Sequence, residues 1–594
     1  MSRQWRFAPH DRAIVVRLAR ELNCSPLLAQ VLAARGIVDG VSGKLFLDAP
    51  LKDLLPPDQL PGAAEAADRV VAAVRAGRRI TIYGDYDVDG VTATSLLWHC
   101  LKLAGAQVDY YIPSRMEEGY GLNLDAIRTL HAEDPNRLIL TVDCGICSLE
   151  EAALAKELGL ELIITDHHTM EETLPDSAVN VHPRLPGTDY PFPELCGAGV
   201  ALKVAWGICQ RLGDGTRTSP RMRDYLKSAV GLAAMGTIAD VVPLRGENRI
   251  IVRYGLHSLM ENSLPGLEFL RKIAGYEKQT SLSAEDIAFG LAPRINAAGR
   301  LGQARLAVEL LTTDNRTRAA QLADYLDQLN KNRQTVERRM SRDAKELVDT
   351  HPEWADHPTL VVSSDEFHPG VMGIVASRLA EKYQKPTVLI AMNRETGLGQ
   401  GSGRTCNGFD LHTGLQACRD WLVTFGGHRA AAGLRIQQEH VDAFRTAFAE
   451  TARIQQQEGE LDPAELQIDS EITLHDLNLA AVRDLDRLGP FGAEHRRPIF
   501  SVSHVQLTDP PSTMGGGDRH LSLRIRQGDK TLRCVAFGKG DWAQEINQWG
   551  GPISICFSAS INQFRGYENV ELQLHDWKPA EMVNSSGTTM SSAV

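Results

Sequence analysis

Apolar and polar positions along the chain fall into three textures. From about residue 80, short β-branched runs alternate with longer stretches whose apolar residues recur at helical spacing. ITIYG (80–84) precedes TATSLLWHCLKLAG (92–105), and VDYYI, LDAIRTLH, LILTVD, EEAALAKELG and LIITD continue the alternation. Strands alternating with helices predict an α/β fold: a parallel sheet with helices on both faces, whose ligands bind beyond the carboxyl ends of the strands. From about 303 to 350 the texture is one long helix rich in both charges, LADYLDQLNKNRQTVERRMSRDAKELV, a solvated face or an interdomain spacer. A second, smaller α/β unit follows with TLVVSS, VMGIVASRLAEKY, PTVLIA, two glycine-rich turns and a helix near VDAFRTAFAE. From about 466 the pattern turns all-β. ELQIDSEI, IFSVSHVQL, HLSLRIR, TLRCVAFG, ISICFSAS and ENVELQLHDW are short strands separated by turn residues, which suggests a small OB-like barrel.

The expected division is an N-terminal accessory segment (1–60), a catalytic α/β domain (61–300), a helical connector (301–352), a second α/β domain (353–455) and a β-barrel (466–580). The last residues, 581–594, read as a disordered tail. The accessory segment holds a short helical stretch, SPLLAQVLAARGI, and ends in the proline-bearing LKDLLPPDQLPG.

At 594 residues the chain has room for about four domains. With 43% hydrophobic and 23% charged residues it is a folded chain and not a disordered one. The net charge of -12 changes the picture more: a nucleic-acid partner would have to be held by a local basic groove, not by global attraction. No apolar run approaches the roughly 20 residues of a membrane span, and the N-terminus has no apolar core of a secretory signal, so a cytoplasmic location is expected. Ten dispersed cysteines read as reduced thiols; Cys144 and Cys147 form a C-x-x-C with no second one to complete a four-cysteine zinc site.

Four segments place acids or histidines directly after an apolar strand or helix. Asp85, Asp87 and Asp89 follow ITIYG, Asp143 follows LILTV, Asp166, His167 and His168 close LIITDHH, and Asp240 ends GTIAD. On parallel strands these loops open onto one edge. Carboxylates crowded there repel and protonate unless cations neutralise them. The cluster therefore predicts bound metal, and aspartate oxygens with an imidazole suit Mn(II) or Mg(II). Asp87, Asp89, Asp143, His167 and Asp240 suffice for two ions sharing a carboxylate, the apparatus of an in-line displacement at phosphorus. Taken singly, an aspartate after a strand is usually a helix N-cap.

DYDVDG, DCGI, DHH and GTIADVVPL, in this order, resemble the motifs of the DHH phosphoesterase superfamily. APRINAAGRLG, SSDEFHPGVMGIVASRL, GSGRT and FGGHRAAAG further resemble the RecJ family of single-stranded-DNA-specific exonucleases, from about residue 60 to about 578. The resemblance implies a DHH domain and a DHHA1 domain for the two α/β lobes. It implies Asp87, Asp89, Asp143, His167 and Asp240 as metal ligands, with Asp85 near the metals, Asp166 orienting its neighbours and His168 facing the scissile phosphate. Tyr83 stands where many superfamily members carry a histidine, and a phenol is a poor ligand at neutral pH.

In the second lobe, Ser377, Arg378, Arg404, Gly427, His428 and Arg429 resemble the pocket that grips the 5′ end of the strand. Arg115, Tyr120, Arg294, Asn296 and Arg300 are further candidates for contacting phosphates or stacking bases. The barrel would track the strand through Arg496, Arg497, Arg524, Arg533, Phe564, Arg565 and Tyr567. The resemblance thus implies a 5′-to-3′ exonuclease that releases mononucleotides from single-stranded DNA in recombination and repair. Its implied partners are single-strand-binding protein and a RecQ-type helicase. A small-substrate phosphoesterase and a non-catalytic replication scaffold are the alternatives.

Overall fold

The computed structural model describes residues 3–580 apart from 10, 115–117, 214–217, 262–263, 356, 407, 458–464 and 565. Arg115, Arg565 and the tail 581–594 lie outside the described residues. The chain forms two compact units: residues 51–462 with 492–494, and residues 1–50 with 463–491 and 495–594. Among the described residues no helix is long and apolar enough to cross a membrane.

The larger unit contains the parallel sheet. Its strands lie in the order Gln107–Tyr111, Arg79–Gly84, Leu138–Val142, Glu161–Thr165, Val179–Val181, all parallel. Numbered by appearance this is 2-1-3-4-5, a doubly wound sheet whose order reverses between the first and third strands. Leu138–Val142 is buried at every position, as a strand covered on both faces must be. Tyr83, Ile139 and Ile164 face the helices Leu124–Glu133 and Leu149–Glu157. Four helices, Val88–Leu103, Gly197–Arg211, Pro220–Ala239 and Gly246–Glu261, pack on one another in the opposite layer.

The helix Arg316–Thr350 spans 35 residues, about 52 Å. Its first half buries Ala319, Leu322, Leu326 and Leu329 against the helices Pro265–Ile273 and Ala292–Arg300. Its second half gives Met340, Ala344 and Val348 to the core of the second lobe, beside Val362, Val375, Leu379 and Leu389. The charged texture of the sequence is the outer face of a helix shared by two cores. The second lobe's sheet runs Thr424–Gly427, Ala431–Gln437, Leu398–Arg404, Thr387–Met392, Leu360–Ser364, parallel only between the last two.

In the other unit, five strands close on themselves. Phe500–Leu507 pairs with Ile553–Phe564, which pairs with Tyr567–Pro579, then Lys530–Ala536, then His520–Gln527, and the last returns to Phe500–Leu507. Closure of five strands is the OB-like barrel expected from the turn spacing. The N-terminal residues do not stand apart as an accessory segment. The helices Arg12–Glu21, Pro26–Ala34 and Gly40–Asp48 bury Leu18, Leu28, Leu32 and Leu47 in one core with Leu474, Val482, Phe500 and Phe557. The cause is the apolar face of these helices. Residues 51–60 instead belong to the larger unit, where the Leu55 N–H donates to Glu247 Oε1 at 2.9 Å.

Leu28 is fully buried. Leu28→Ala should therefore cost about 2–5 kcal/mol. Chemical denaturation followed by barrel tryptophan fluorescence would measure it, and a loss below about 1 kcal/mol would show that the N-terminal helices are dispensable to that core.

Candidate metal centre

The first and third strands are neighbours at the switch point, and both end in acids. Asp85, Asp87 and Asp89 follow the first, and Asp143 the third, while Asp166, His167 and His168 follow the adjacent fourth strand. Asp240 arrives from the helical layer as the C-terminal cap of Pro220–Ala239. His167 Nε2 lies 3.1 Å from Asp143 Oδ1, 3.7 Å from Asp240 Oδ2 and 3.8 Å from Asp89 Oδ2.

Three sets of donors each fall within 4.8 Å: Asp89, His167 and Asp240; Asp85, Asp87 and Asp143; and Asp143, His167 and His168. Asp143 joins the second set to the third, and His167 joins the third to the first.

Electrostatics show what this arrangement lacks. Burial, followed by the neighbouring Asp87 for Asp85 and Asp89 for Asp143, holds both carboxyls well above the usual range. Asp89 is raised chiefly by burial, and Asp240 is pushed up to about 8 by burial and by Asp89 and Asp87. Burial lowers His167 to about 4, so its imidazole is neutral at pH 7. Among the described residues, Asp85 Oδ1, Asp143 Oδ1 and His167 Nε2 are buried with no hydrogen-bond partner, the last two approaching each other at 3.1 Å without forming one. Buried polar atoms are rarely left so. Three orphaned lone-pair atoms among repelling carboxylates fit divalent cations, and an oxygen-rich set with one imidazole fits Mn(II) or Mg(II).

The supports are backbone amides. Asp87 caps the helix Val88–Leu103, its Oδ1 accepting from the N–H of Asp89 at 2.8 Å and Gly90 at 3.1 Å. Both oxygens of Asp89 are held at the start of Gly197–Arg211, by the N–H of Gly197 at 2.6 Å and Ala198 at 2.9 Å, where the helix dipole favours an anion. A Cβ on Gly197 would meet Asp143 Cβ at 2.6 Å, and one on Gly236 would meet Asp89 Oδ1 at 2.4 Å, so both helices reach the carboxylates only through glycine.

Asp166 contacts both neighbouring histidines. Its Oδ1 accepts from the N–H groups of His167 and His168 and lies 2.7 Å from His168 Nδ1, while Oδ2 accepts from the Ile146 N–H. Burial would raise Asp166, but the His168 hydrogen bond and the histidine charges bring it down to about 2. Burial alone would lower His168; the bond and charge of Asp166 outweigh it and raise it to about 9.

Tyr120 joins this site: its hydroxyl donates to the Asp143 carbonyl at 3.2 Å and lies 3.1 Å from His168 Nδ1. Tyr83 does not. It is fully buried, donates to Gly121 O at 3.0 Å and accepts from Asn123 Nδ2 at 3.1 Å. Asp85 supplies the third carboxylate beside Asp87 and Asp143.

The other candidates are distributed between the lobes of this unit. Arg294 is paired with Asp327 of the long helix at 2.9 Å, while Arg300 donates to Gly370 O at 3.1 Å. Asn296 is half-buried on the same helix, Ala292–Arg300. Ser377 bonds Gly373 O within its own helix, and Arg378 is ion-paired to the buried Glu337 of the long helix. Arg404 donates to Ser402 Oγ at 3.2 Å and reaches Gly373 at the start of Met372–Tyr383. Gly427, at φ 137°, turns the strand, and His428 and Arg429 are exposed beyond it. In the barrel unit, Arg496 pairs with Asp469 and Arg533 with Glu571, Arg497 lies over the Phe491 ring, and Arg524 and Tyr567 are exposed.

Sequence reasoning missed five contributors. His182 Nε2 lies 2.8 Å from His168 O, Arg184 donates to His167 O, Ser402 sits beside Arg404, and the amides of Gly197 and Ala198 hold Asp89. GAGVAL after Cys196 carried a signal for the last two; backbone carbonyl contacts leave none in a sequence.

A doubly wound sheet with D-x-D, D-C-G and D-H-H at its switch point, joined by a helix to a second α/β lobe, defines a phosphoesterase of the DHH class. The DHH family, N-terminal domain matches residues 79–237, the DHHA1 domain 357–453 and the RecJ OB domain 468–576. The Bacillus subtilis (strain 168) single-stranded-DNA-specific exonuclease RecJ is 38% identical over 96% of this chain and 70% of its own length. The Escherichia coli (strain K12) protein of the same description is 32% identical over 92% and 95%. A crystal structure of RecJ in complex with Mn2+ from Thermus thermophilus superposes with a TM-score of 0.81 at 33% identity, over 98% of this chain and 80% of that one. The chain belongs to the RecJ family.

The carboxyl shifts predict a pH signature. Native Asp240 keeps a proton to about pH 8, whereas a free aspartate loses it near 3.8. The native state without ions thus binds more protons in that window, and its stability falls as pH rises through it. A cation displaces the proton, so its stabilising effect must grow with pH. The Tm gap between Mn(II)-loaded and chelator-treated protein should be wider at pH 8 than at pH 6; an equal gap would remove Asp240 from the ion's shell.

Proposed function

We propose that this chain is a metal-dependent, single-stranded-DNA-specific exonuclease whose ions sit between Asp85, Asp87, Asp89, Asp143, His167 and Asp240. The observation that carries the residue assignment is the set of orphaned buried atoms on Asp85, Asp143 and His167. Bound Mn(II) or Mg(II), two per site, supplies Lewis acidity at the phosphodiester and acidifies a water. Asp89, clamped by two amides, keeps both oxygens fixed during turnover, and the neutral His167 offers Nε2 without first shedding a proton. His168, kept charged by Asp166, is placed to neutralise charge developing on the phosphoryl oxygens. Tyr120 fixes the orientation of that imidazole.

The finer reading is 5′-to-3′ polarity with release of mononucleotides. It is supported by Ser402 and Arg404 beside the start of Met372–Tyr383, an arrangement suited to a terminal phosphate. The barrel, with Arg524 and Tyr567 exposed, is assigned to the rest of the strand. Single-strand-binding protein and a RecQ-type helicase are the protein partners the family resemblance implies.

Asp143→Asn should reduce turnover of a single strand by at least about 10³-fold, since one carboxylate serves two donor sets, with strand affinity changed less than about threefold. Gel assays of strands labelled at either end, single or double, with Mn(II) or Mg(II), measure it and read polarity. Wild-type-like turnover by the variant would remove Asp143 from the centre. Arg404→Ala should raise KM for a 5′-phosphorylated strand about 10-fold and leave a 5′-hydroxyl strand nearly unaffected; equal losses on both would dissociate Arg404 from the terminal phosphate.

A further inference from the structure

Among the described residues, helices of the larger unit repeatedly end the same way. Ala63–Arg75, Val88–Leu103, Leu149–Glu157 and Pro265–Ile273 are each followed by one capping residue and then a glycine at positive φ: Gly77 at 65°, Gly105 at 81°, Gly159 at 73° and Gly275 at 86°. In each the glycine N–H donates to the carbonyl three residues back. Apart from the adjoining chain and the helix's own backbone, no heavy atom of the described residues lies within 4 Å of where a Cβ would stand on Gly77, Gly105, Gly159 or Gly275, so glycine is there for its backbone and not for room.

The helix Pro220–Ala239 ends alike, with Asp240 as its cap and the next N–H donating to Ile238 O. The residue in the glycine position, however, is Val241, at φ 63°. A β-branched residue is the least suited to the left-handed region. Packing does not compensate, because Val241 is 69% exposed. Held strain of this kind collects at sites of function. The branch also stands one residue beyond Asp240, whose carboxylate faces Asp89 and His167.

We propose that Val241 is a substrate-contacting residue: its isopropyl group packs on the sugar and base of the nucleotide flanking the scissile phosphodiester. An apolar branch at the rim of an anionic, cation-loving centre has no chemistry to offer the phosphate, but matches the uncharged part of a nucleotide. The left-handed backbone sets the branch immediately after Asp240, outside the packed core, while Asp240 stays in the donor set. This rests on the exonuclease reading above.

Two variants separate side chain from backbone. Val241→Gly removes branch and strain; Val241→Ala removes the branch and keeps a Cβ in the left-handed region. Val241→Gly should raise Tm by about 2 °C. Both should lower kcat/KM on a 5′-phosphorylated single strand about 10-fold, carried mainly by KM, with Mn(II) affinity by calorimetry unchanged. Val241→Ala turning over within twofold of wild type would overturn the proposal. So would a loss of Mn(II) affinity parallel to the loss of activity, since Val241 would then act only through Asp240. A wild-type protein that digests no strand with Mn(II) would defeat the exonuclease reading itself, and the inference with it.

Discussion

Mutual repulsion of buried carboxylates is the constraint on which the rest depends. Asp85, Asp89 and Asp143 are nearly fully buried, and Asp87 and Asp240 complete the ring of acids. No folded chain gathers such a set for stability, because each ionised group loses solvation and gains a like-charged neighbour. The architecture is arranged to hold the set nonetheless. Helix N-termini and backbone amides clasp Asp87 and Asp89, glycines admit the helices to contact distance, and Asp166 fixes the two histidines through the amides and ring it touches.

The acids themselves were legible in the sequence, because each follows a strand or ends a helix and the strand order of a doubly wound sheet brings such positions to one edge. Asp85, Asp87, Asp89, Asp143, His167, His168 and Asp240 do meet. Less legible was anything fixed by the chain's return to itself. Arg294 resembles a phosphate ligand in sequence but is engaged by Asp327, on a helix that begins 22 residues later. Tyr83 stands where many superfamily members carry a histidine, yet its side chain is buried in the cluster of Leu122, Ile127, Ile139 and Ile164 and bonded to Gly121 and Asn123. The clasping of the histidine pair by His182 and Arg184 runs through main-chain oxygens, which every residue type provides equally.

The domain reading shows the same limit. Periodicity found a helix at Pro26–Ala34, but not that its apolar face would complete a barrel whose strands begin 466 residues later. Amphipathicity says that a face must be covered; only the tertiary fold says by what. OB-like barrels are small, and the three N-terminal helices enlarge this one's core.

The helix Arg316–Thr350 carries a mechanical consequence. One continuous rod furnishes buried side chains to the helices of the first lobe with its first half and to the core of the second lobe with its second half, so melting the whole rod withdraws packing from both lobes. Neither could be excised by cutting the polypeptide within that rod without leaving a bare oily stripe on its remainder.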